Sequence, residues 1–224
     1  MSANSSTFQE QLETIYEQHR RQGLESELDE LAETMEETIL ERVLAEAFFR
    51  TEVEIDSEAK HAVEEARSLL EQDDYDALAE RLPETREAVE AQRREVNNFV
   101  HQARIDVHNT VRGMIRLNQR VERVDQDKLD ALDTLLDNWN WEAQIEEDQI
   151  NQRKEEAREY GQFMRQSLEE AKDALFGPYR DTPLDDLVDR LLDDERLTLA
   201  ALSEEELNRL HESDLADYLE VTLS

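Results

Sequence analysis

The sequence has 224 residues and carries 58 acidic against 25 basic side chains, a formal net charge of −33. It contains no cysteine, which excludes disulfides, thiolate metal sites and cysteine nucleophiles. Only 4 glycines and 3 prolines are present, which leaves little material for turns, so long helices are expected rather than strands.

The basic residues point to a solvent rich in salt. There are four lysines against 21 arginines, and the acidic excess is large. At ~1 M salt the Debye length is roughly 3 Å, so such a charge repels itself little. At low salt the same charge would strain a compact fold. We therefore expect a protein adapted to high salt; an ordinary acidic scaffold protein is the alternative.

The first section, residues 1–56, is predicted to be helical. Its N-terminus has no basic and apolar segments of a secretory signal, and no window has the ~18 apolar residues of a membrane span. A cytoplasmic protein without a membrane segment is therefore expected. A first helix through Ile15 and Tyr16 should stop at Gly23. A second, from Leu24, should end at Phe48 and Phe49.

The next segment is predicted to contain two short helices. Asp56 or Ser57 can cap a helix that runs to Leu70, and Asp73 or Asp74 can cap another that begins at Tyr75. Pro83 disfavours helical geometry at the residue before it, so this helix should end at Leu82.

Apolar residues then recur at alternating spacings of four and three, which is typical of a coiled coil. The positions are Val96, Val100, Ala103, Val107, Thr110, Met114, Leu117, Val121 and Val124. The predicted seam of an oligomer comprises Val100, Val107, Met114, Leu117 and Val121. Either a second copy or an intrachain hairpin of 84–124 on 128–175 could cover this stripe.

A turn near 125–127 should separate this run from a second long helical run through 129–175, with a kink or break at 137–141. Together these runs form a predicted central coiled coil, residues 57–176. The stretch FGPYRDTP predicts its end, and a small helical module should occupy 177–224. In that module Ser203 and Glu206 have the spacing of a capping box.

The segment from Arg93 to Arg123 carries a local charge of +4 within this acidic chain. Five of its cations form a ridge with a spacing of four residues: Arg104, His108, Arg112, Arg116 and Arg120. Arginine forks suit phosphate contacts, which favours a nucleic-acid interface. However, phosphate-based affinity falls steeply with salt, so pairing with acidic helices such as 142–156, or with a partner protein, is the favoured interpretation.

Other chemistry is weakly indicated. Glu58 and His61 match the E-x-x-H half of a carboxylate di-metal motif, but no second copy exists, and a solvated helix face is the favoured interpretation. Trp141 is a candidate anchor for a partner, with ordinary core packing as the alternative. No catalytic residue, metal site or cofactor is assigned.

These patterns predict an all-α, elongated helical bundle or coiled coil with a small C-terminal helical module. The expected function is that of a non-enzymatic scaffold or interaction subunit of a larger cytoplasmic assembly, bound to protein partners, with a second copy of the chain as one candidate partner. The alternative is an accessory factor of a nucleic-acid machine that contacts DNA or RNA through residues 104–123. A metal enzyme on a helical bundle is the third class considered.

Overall fold

The structure is a computed structural model that describes residues 3–52, 57–139, 149–182, 184–192, 202–211 and 213. Its helices are α1 Ala3–Phe49, α2 Ser57–Glu71, α3 Tyr75–Val121, α4 Gln126–Asn138, α5 Ile150–Phe176, α6 Asp185–Leu192 and α7 Glu204–His211, with a 3-10 turn at Gly177–Tyr179. None of the described residues lies in a strand, which confirms the all-α prediction. Across the same ranges, no helix is long and apolar enough to cross a membrane.

Two predicted helix breaks are wrong. α1 continues through Gly23, where Arg20 is anchored to Asp76 at 2.7 Å and Arg21 lies over the Tyr75 ring. A helical glycine costs only about 1 kcal/mol, and the apolar side chains that follow it on α1, from Leu28 to Met35, are buried in one core.

α3 likewise continues through Pro83. Pro83 is exposed, and because it has no N–H it removes one hydrogen bond of the helix. Leu82 before it and Val89 after it are both buried in one core, and this packing outweighs the local preference.

The chain divides into two compact units, and two of the three boundaries fall within α1 and α3. The first comprises residues 1–43 and 52–99, and the second 44–51 and 100–224. The predicted division at 56 and 176 rests on composition alone and stays a prediction.

In the first unit, three helices pack around one apolar core. α2 and α3 are antiparallel, because Glu65 pairs with Arg81 and the Ala62 carbonyl accepts from Thr85. α1 and α3 run in the same direction, because Glu27 pairs with Arg86 and Arg20 with Asp76. The core consists of Leu28, Leu31, Ala32, Met35, Ala59, Val63, Ala66, Leu78, Leu82 and Val89.

In the second unit, the end of α1 packs against α5, the second half of α3 against α4, and α4 against α5. The heptad prediction is confirmed as helix from Val96 to Val121, but α3 ends there, so Val124 lies beyond it. Val100, Met114 and Leu117 are buried, whereas Val107 is half-buried. Their burial comes from the chain itself, so the intrachain alternative accounts for it without a second copy. Knobs-into-holes geometry stays a prediction.

Several predicted helix ends are confirmed. Asp74 accepts a hydrogen bond from the N–H of Ala77, and Asp125 accepts one from Asp127 at the start of α4. Ser203 and Glu206 form the reciprocal capping box, at 2.6 Å and 3.1 Å. The predicted helix after Ser213 lies outside the described residues.

Candidate functional site: the basic ridge of α3

The ridge residue Arg104 holds the C-terminal end of α4. Its Nε and Nη2 atoms donate to the carbonyls of Leu136 and Asp137, each at 2.8 Å. The last four carbonyls of a helix have no partner within the helix, and they carry the negative end of its dipole. A planar guanidinium with several fixed donors suits two such carbonyls at once, which an ammonium group on lysine would not match.

The next two ridge residues also face α4. His108 Nε2 lies 3.0 Å from the Asp133 carboxylate, and only 16% of the His108 side chain is exposed. Arg112 is more open, with 54% of its side chain exposed, and lies 3.8 Å from both Asp133 and Asp137. The ridge therefore pairs with α4, and the pairing decreases from Arg104 to Arg112.

The carboxylates seen beside the ridge belong to α4. Pairing of the ridge with the segment 142–156 stays a prediction. Residues 140–148 lie outside the described residues, and Trp141 with them.

The remaining ridge positions are less defined. Arg116 is exposed on α3. The side chains of Arg120 and of the seam residue Val121 lie outside the description.

α4 ends where Trp139 adopts a left-handed backbone conformation, with φ 48°. This conformation costs a side-chain-bearing residue about 1–2 kcal/mol. Two contacts offset the cost: the Trp139 N–H donates to the Leu135 carbonyl at 2.6 Å, and its ring stacks on Phe49 at 5.6 Å. The Arg104 guanidinium lies over the same ring, 5.8 Å from its centre. The predicted break at 137–141 is confirmed at this residue.

Arginine side chains also donate hydrogen bonds to carbonyls at two other helix ends in this unit. Arg123 donates to the Leu175 carbonyl at the end of α5, at 3.3 Å, and lies over the Tyr179 ring. Arg165 donates to the Phe48 carbonyl at the end of α1, also at 3.3 Å. In this unit, the last turns of three helices thus each accept a hydrogen bond from an arginine in another part of the chain. Sequence reasoning missed these roles, because the partners are backbone atoms far away in the chain.

A buried amide organises the turn between α3 and α4. Asn118 is 3% exposed, and its Oδ1 atom accepts from the N–H groups of Arg123 and Val124. Its Nδ2 atom donates to the Val124 carbonyl and to Gln126. An asparagine three residues before the end of a helix is a faint sequence signal for this role.

A polar cleft of about 460 Å³ lies where α1 meets the turn between α2 and α3. Tyr75 donates to Asp73 at 2.5 Å, and this hydrogen bond raises the pKa of Tyr75. Arg21, beside Tyr75, also pairs with Glu25, and that hydrogen bond raises the pKa of Arg21. The polar groups in this cleft are paired with one another at an exposed surface. We therefore interpret the cleft as a contact that holds α1 against the turn between α2 and α3.

The half-motif for metal is on the surface. His61 lies 3.5 Å from Glu64 and is largely exposed, as is Glu58. Within the described ranges, no group of three histidine or acidic residues is placed to hold a metal ion.

The ridge therefore contacts α4 through Arg104, His108 and Arg112. Such an arrangement can hold two helices together, and Arg112 and Arg116 are exposed at the surface. Comparison of the chain with protein-family models, with curated proteins and with solved structures gives no match.

Proposed function

We propose that the protein is a non-enzymatic helical scaffold or interaction subunit of a larger cytoplasmic assembly, adapted to high salt. The observation that carries the proposal is the use of arginine in the second unit. Arg104, Arg123 and Arg165 each bond to the last turn of another helix. These three arginines thus serve to build a helical frame.

Exposed apolar side chains support contacts with other proteins. Tyr16 on α1 is 72% exposed and Phe163 on α5 is 62% exposed. Single exposed apolar residues are common on proteins. On a surface this acidic, though, they are the natural points for a partner to cover, because carboxylates gain nothing from burial.

The test is purification of the tagged full-length chain from its own cells at their internal salt, after nuclease treatment. The proposal predicts at least one protein at fixed stoichiometry. Phe163→Ser and Tyr16→Ser should weaken recovery of a partner that covers these residues, and both leave the core intact because the side chains are exposed. Asn151→Ser, also exposed, is the matched control. Recovery of the chain alone would contradict the proposal.

The alternative is an accessory role in a nucleic-acid machine. It is favoured by the exposure of Arg112 and Arg116 on one side of α3. Retention on DNA or RNA at the salt of the source cell, lost when Arg112, Arg116 and Arg120 are replaced by Glu, would support this role over the scaffold. Binding found only at low salt would not, because any cationic surface shows it.

A further inference from the structure

One face of α3 points away from the core of the second unit. Val100 and Asn118 are both buried, and each is nine residues from Asn109. With 3.6 residues per turn, nine residues are about two and a half turns, so Asn109 lies on the opposite side of the helix. Asn109 is exposed, as this geometry requires.

The exposed side of α3 has a regular spacing. Gln102, Ile105, Asn109, Arg112 and Arg116 are all exposed, and they follow one another at intervals of three and four residues. This is the spacing of contact positions in paired helices. We call these five residues the outer face. Its one large apolar side chain, Ile105, is 41% exposed.

The charged residues around Asn109 are placed so that two antiparallel copies of α3 would bring opposite charges together. Asp106 lies three residues before it and Arg112 three residues after it, and both are exposed. In an antiparallel pair of such helices centred on Asn109, each Arg112 lies opposite Asp106 of the other copy. Arg116 lies opposite Gln102 in the same way. A twofold contact requires this self-complementarity.

We propose that the outer face is an interface with a second copy of this chain, formed by antiparallel pairing of α3 around Asn109. The inference rests on the proposed interaction role and names one partner for it. It differs from the dimer suggested by the heptads, because Val100, Met114 and Leu117 are already buried within one chain.

The net charge makes this pairing depend on salt. Two copies of charge −33 repel each other at low salt. At ~1 M salt the Debye length falls to roughly 3 Å, so the long-range repulsion is screened while contacts at hydrogen-bond distance persist. Dimerisation should therefore strengthen as salt rises. Binding of nucleic acid to the same arginines would weaken.

The first test uses the absence of native cysteine. Asn109→Cys places the two sulfurs near the twofold axis, where a disulfide can form if the Cα atoms come within about 7 Å. Gln102→Cys is the control, because it lies about 10 Å along the helix from the axis, so the two copies are about 20 Å apart. Oxidation at high KCl should cross-link Asn109→Cys and leave Gln102→Cys monomeric. Equal cross-linking of both variants, or none, would overturn the proposal.

The second test reverses the charges. Sedimentation equilibrium at high KCl should give a mass that rises with concentration toward twice the 26.3 kDa of the chain. Asp106→Arg should return the mass to the monomer, and adding Arg112→Asp should restore the dimer. Because Arg112 also lies near Asp133, circular dichroism must first show that the double variant is folded.

The outcomes separate this inference from the broader function. A wild-type chain that stays monomeric at every salt and concentration overturns the pairing. If that chain still purifies with another protein from its own cells, the interaction role stands. An unchanged mass for Asp106→Arg also overturns the pairing, because that variant removes both intercopy ion pairs.

Discussion

Gly161 approaches Leu44 so closely that a Cβ atom at position 161 would lie 2.8 Å from the Leu44 carbonyl oxygen. The same atom would lie 2.9 Å from Cβ of Ala47. α5 therefore crosses the end of α1 with the two backbones in contact, an approach that glycine permits because it has no Cβ atom. Arg165, one turn further along α5, donates to the Phe48 carbonyl in the same crossing.

We predict that Gly161→Ala destabilises the protein. Inserting a methyl group into a packed contact costs typically 1–3 kcal/mol, which exceeds the gain of about 0.5–1 kcal/mol from replacing a helical glycine. Gly23→Ala is the matched control, since no atom lies within 4 Å of a Cβ there and only the gain applies. Urea unfolding at high salt should therefore shift in opposite directions for the two variants. A gain in stability for Gly161→Ala would show that the crossing is looser than described.

The sequence predicted much of this fold but little of how its parts are joined. Heptad spacing predicted the helix from Val96 to Val121, and side-chain caps such as Ser203 predicted helix starts, because both signals are local. The helix breaks predicted at Gly23 and Pro83 were wrong, because contacts from distant residues outweigh a local cost of a few kcal/mol.

The candidate site shows the same limit. The basic ridge was visible as a charge pattern, and its pairing with acidic residues was the favoured interpretation. The partner helix was not predicted, because the order in which helices pack depends on contacts between residues about 30 apart. Arg104 with Asp137 is one such pair.

Gln92 is expected to limit stability. It is 2% exposed, and neither its amide oxygen nor its amide nitrogen has a hydrogen-bond partner in the described structure. A buried polar group without a partner costs about 1–3 kcal/mol. Gln92→Met, of similar shape, should raise the free energy of unfolding by about 1–2 kcal/mol.

Thr85 provides the contrast to Gln92 on the same helix. It is also buried, but its hydroxyl donates to the Arg81 carbonyl at 3.1 Å. Thr85→Val should lower stability by about 1 kcal/mol, the net value of one hydrogen bond. Opposite signs for the two variants in denaturant unfolding would support the assignment. A loss of stability in Gln92→Met would mean that its amide is satisfied.

The capping box at α7 predicts a pH effect. The hydroxyl and the backbone N–H of Ser203 hold the pKa of Glu206 below its usual range. Because the pKa is lower in the folded state, the stabilisation is complete above the ordinary glutamate pKa and is lost as pH falls through the folded value. Ser203→Ala should raise the pKa of Glu206 toward its ordinary value. An NMR titration of the Glu206 carboxyl measures this directly, and an identical midpoint in both proteins would contradict it.

Salt should stabilise the whole chain. A net charge of −33 opposes compaction at low ionic strength. At ~1 M salt the Debye length is roughly 3 Å, so repulsion between charges farther apart than that is largely screened. The melting temperature is therefore expected to rise between 0.1 and 2 M KCl. Sucrose at matched osmolality is the control, because it favours compact states without screening charge. A melting temperature that is highest at low salt would contradict adaptation to high salt.

The central claim is that the basic ridge of α3 serves the fold by holding α4, and hydrogen exchange of α4 in Arg104→Met tests it most directly. The variant keeps an apolar stem but loses both hydrogen bonds to Leu136 and Asp137, at a cost of about 2 kcal/mol, or about 30-fold faster exchange. Arg86→Met is the control on the same helix, because Arg86 is exposed and pairs with the Glu27 carboxylate in the first unit. We predict faster exchange across Gln126–Asn138 in Arg104→Met alone. Unchanged exchange of α4, together with loss of nucleic-acid retention at the salt of the source cell, would contradict the account.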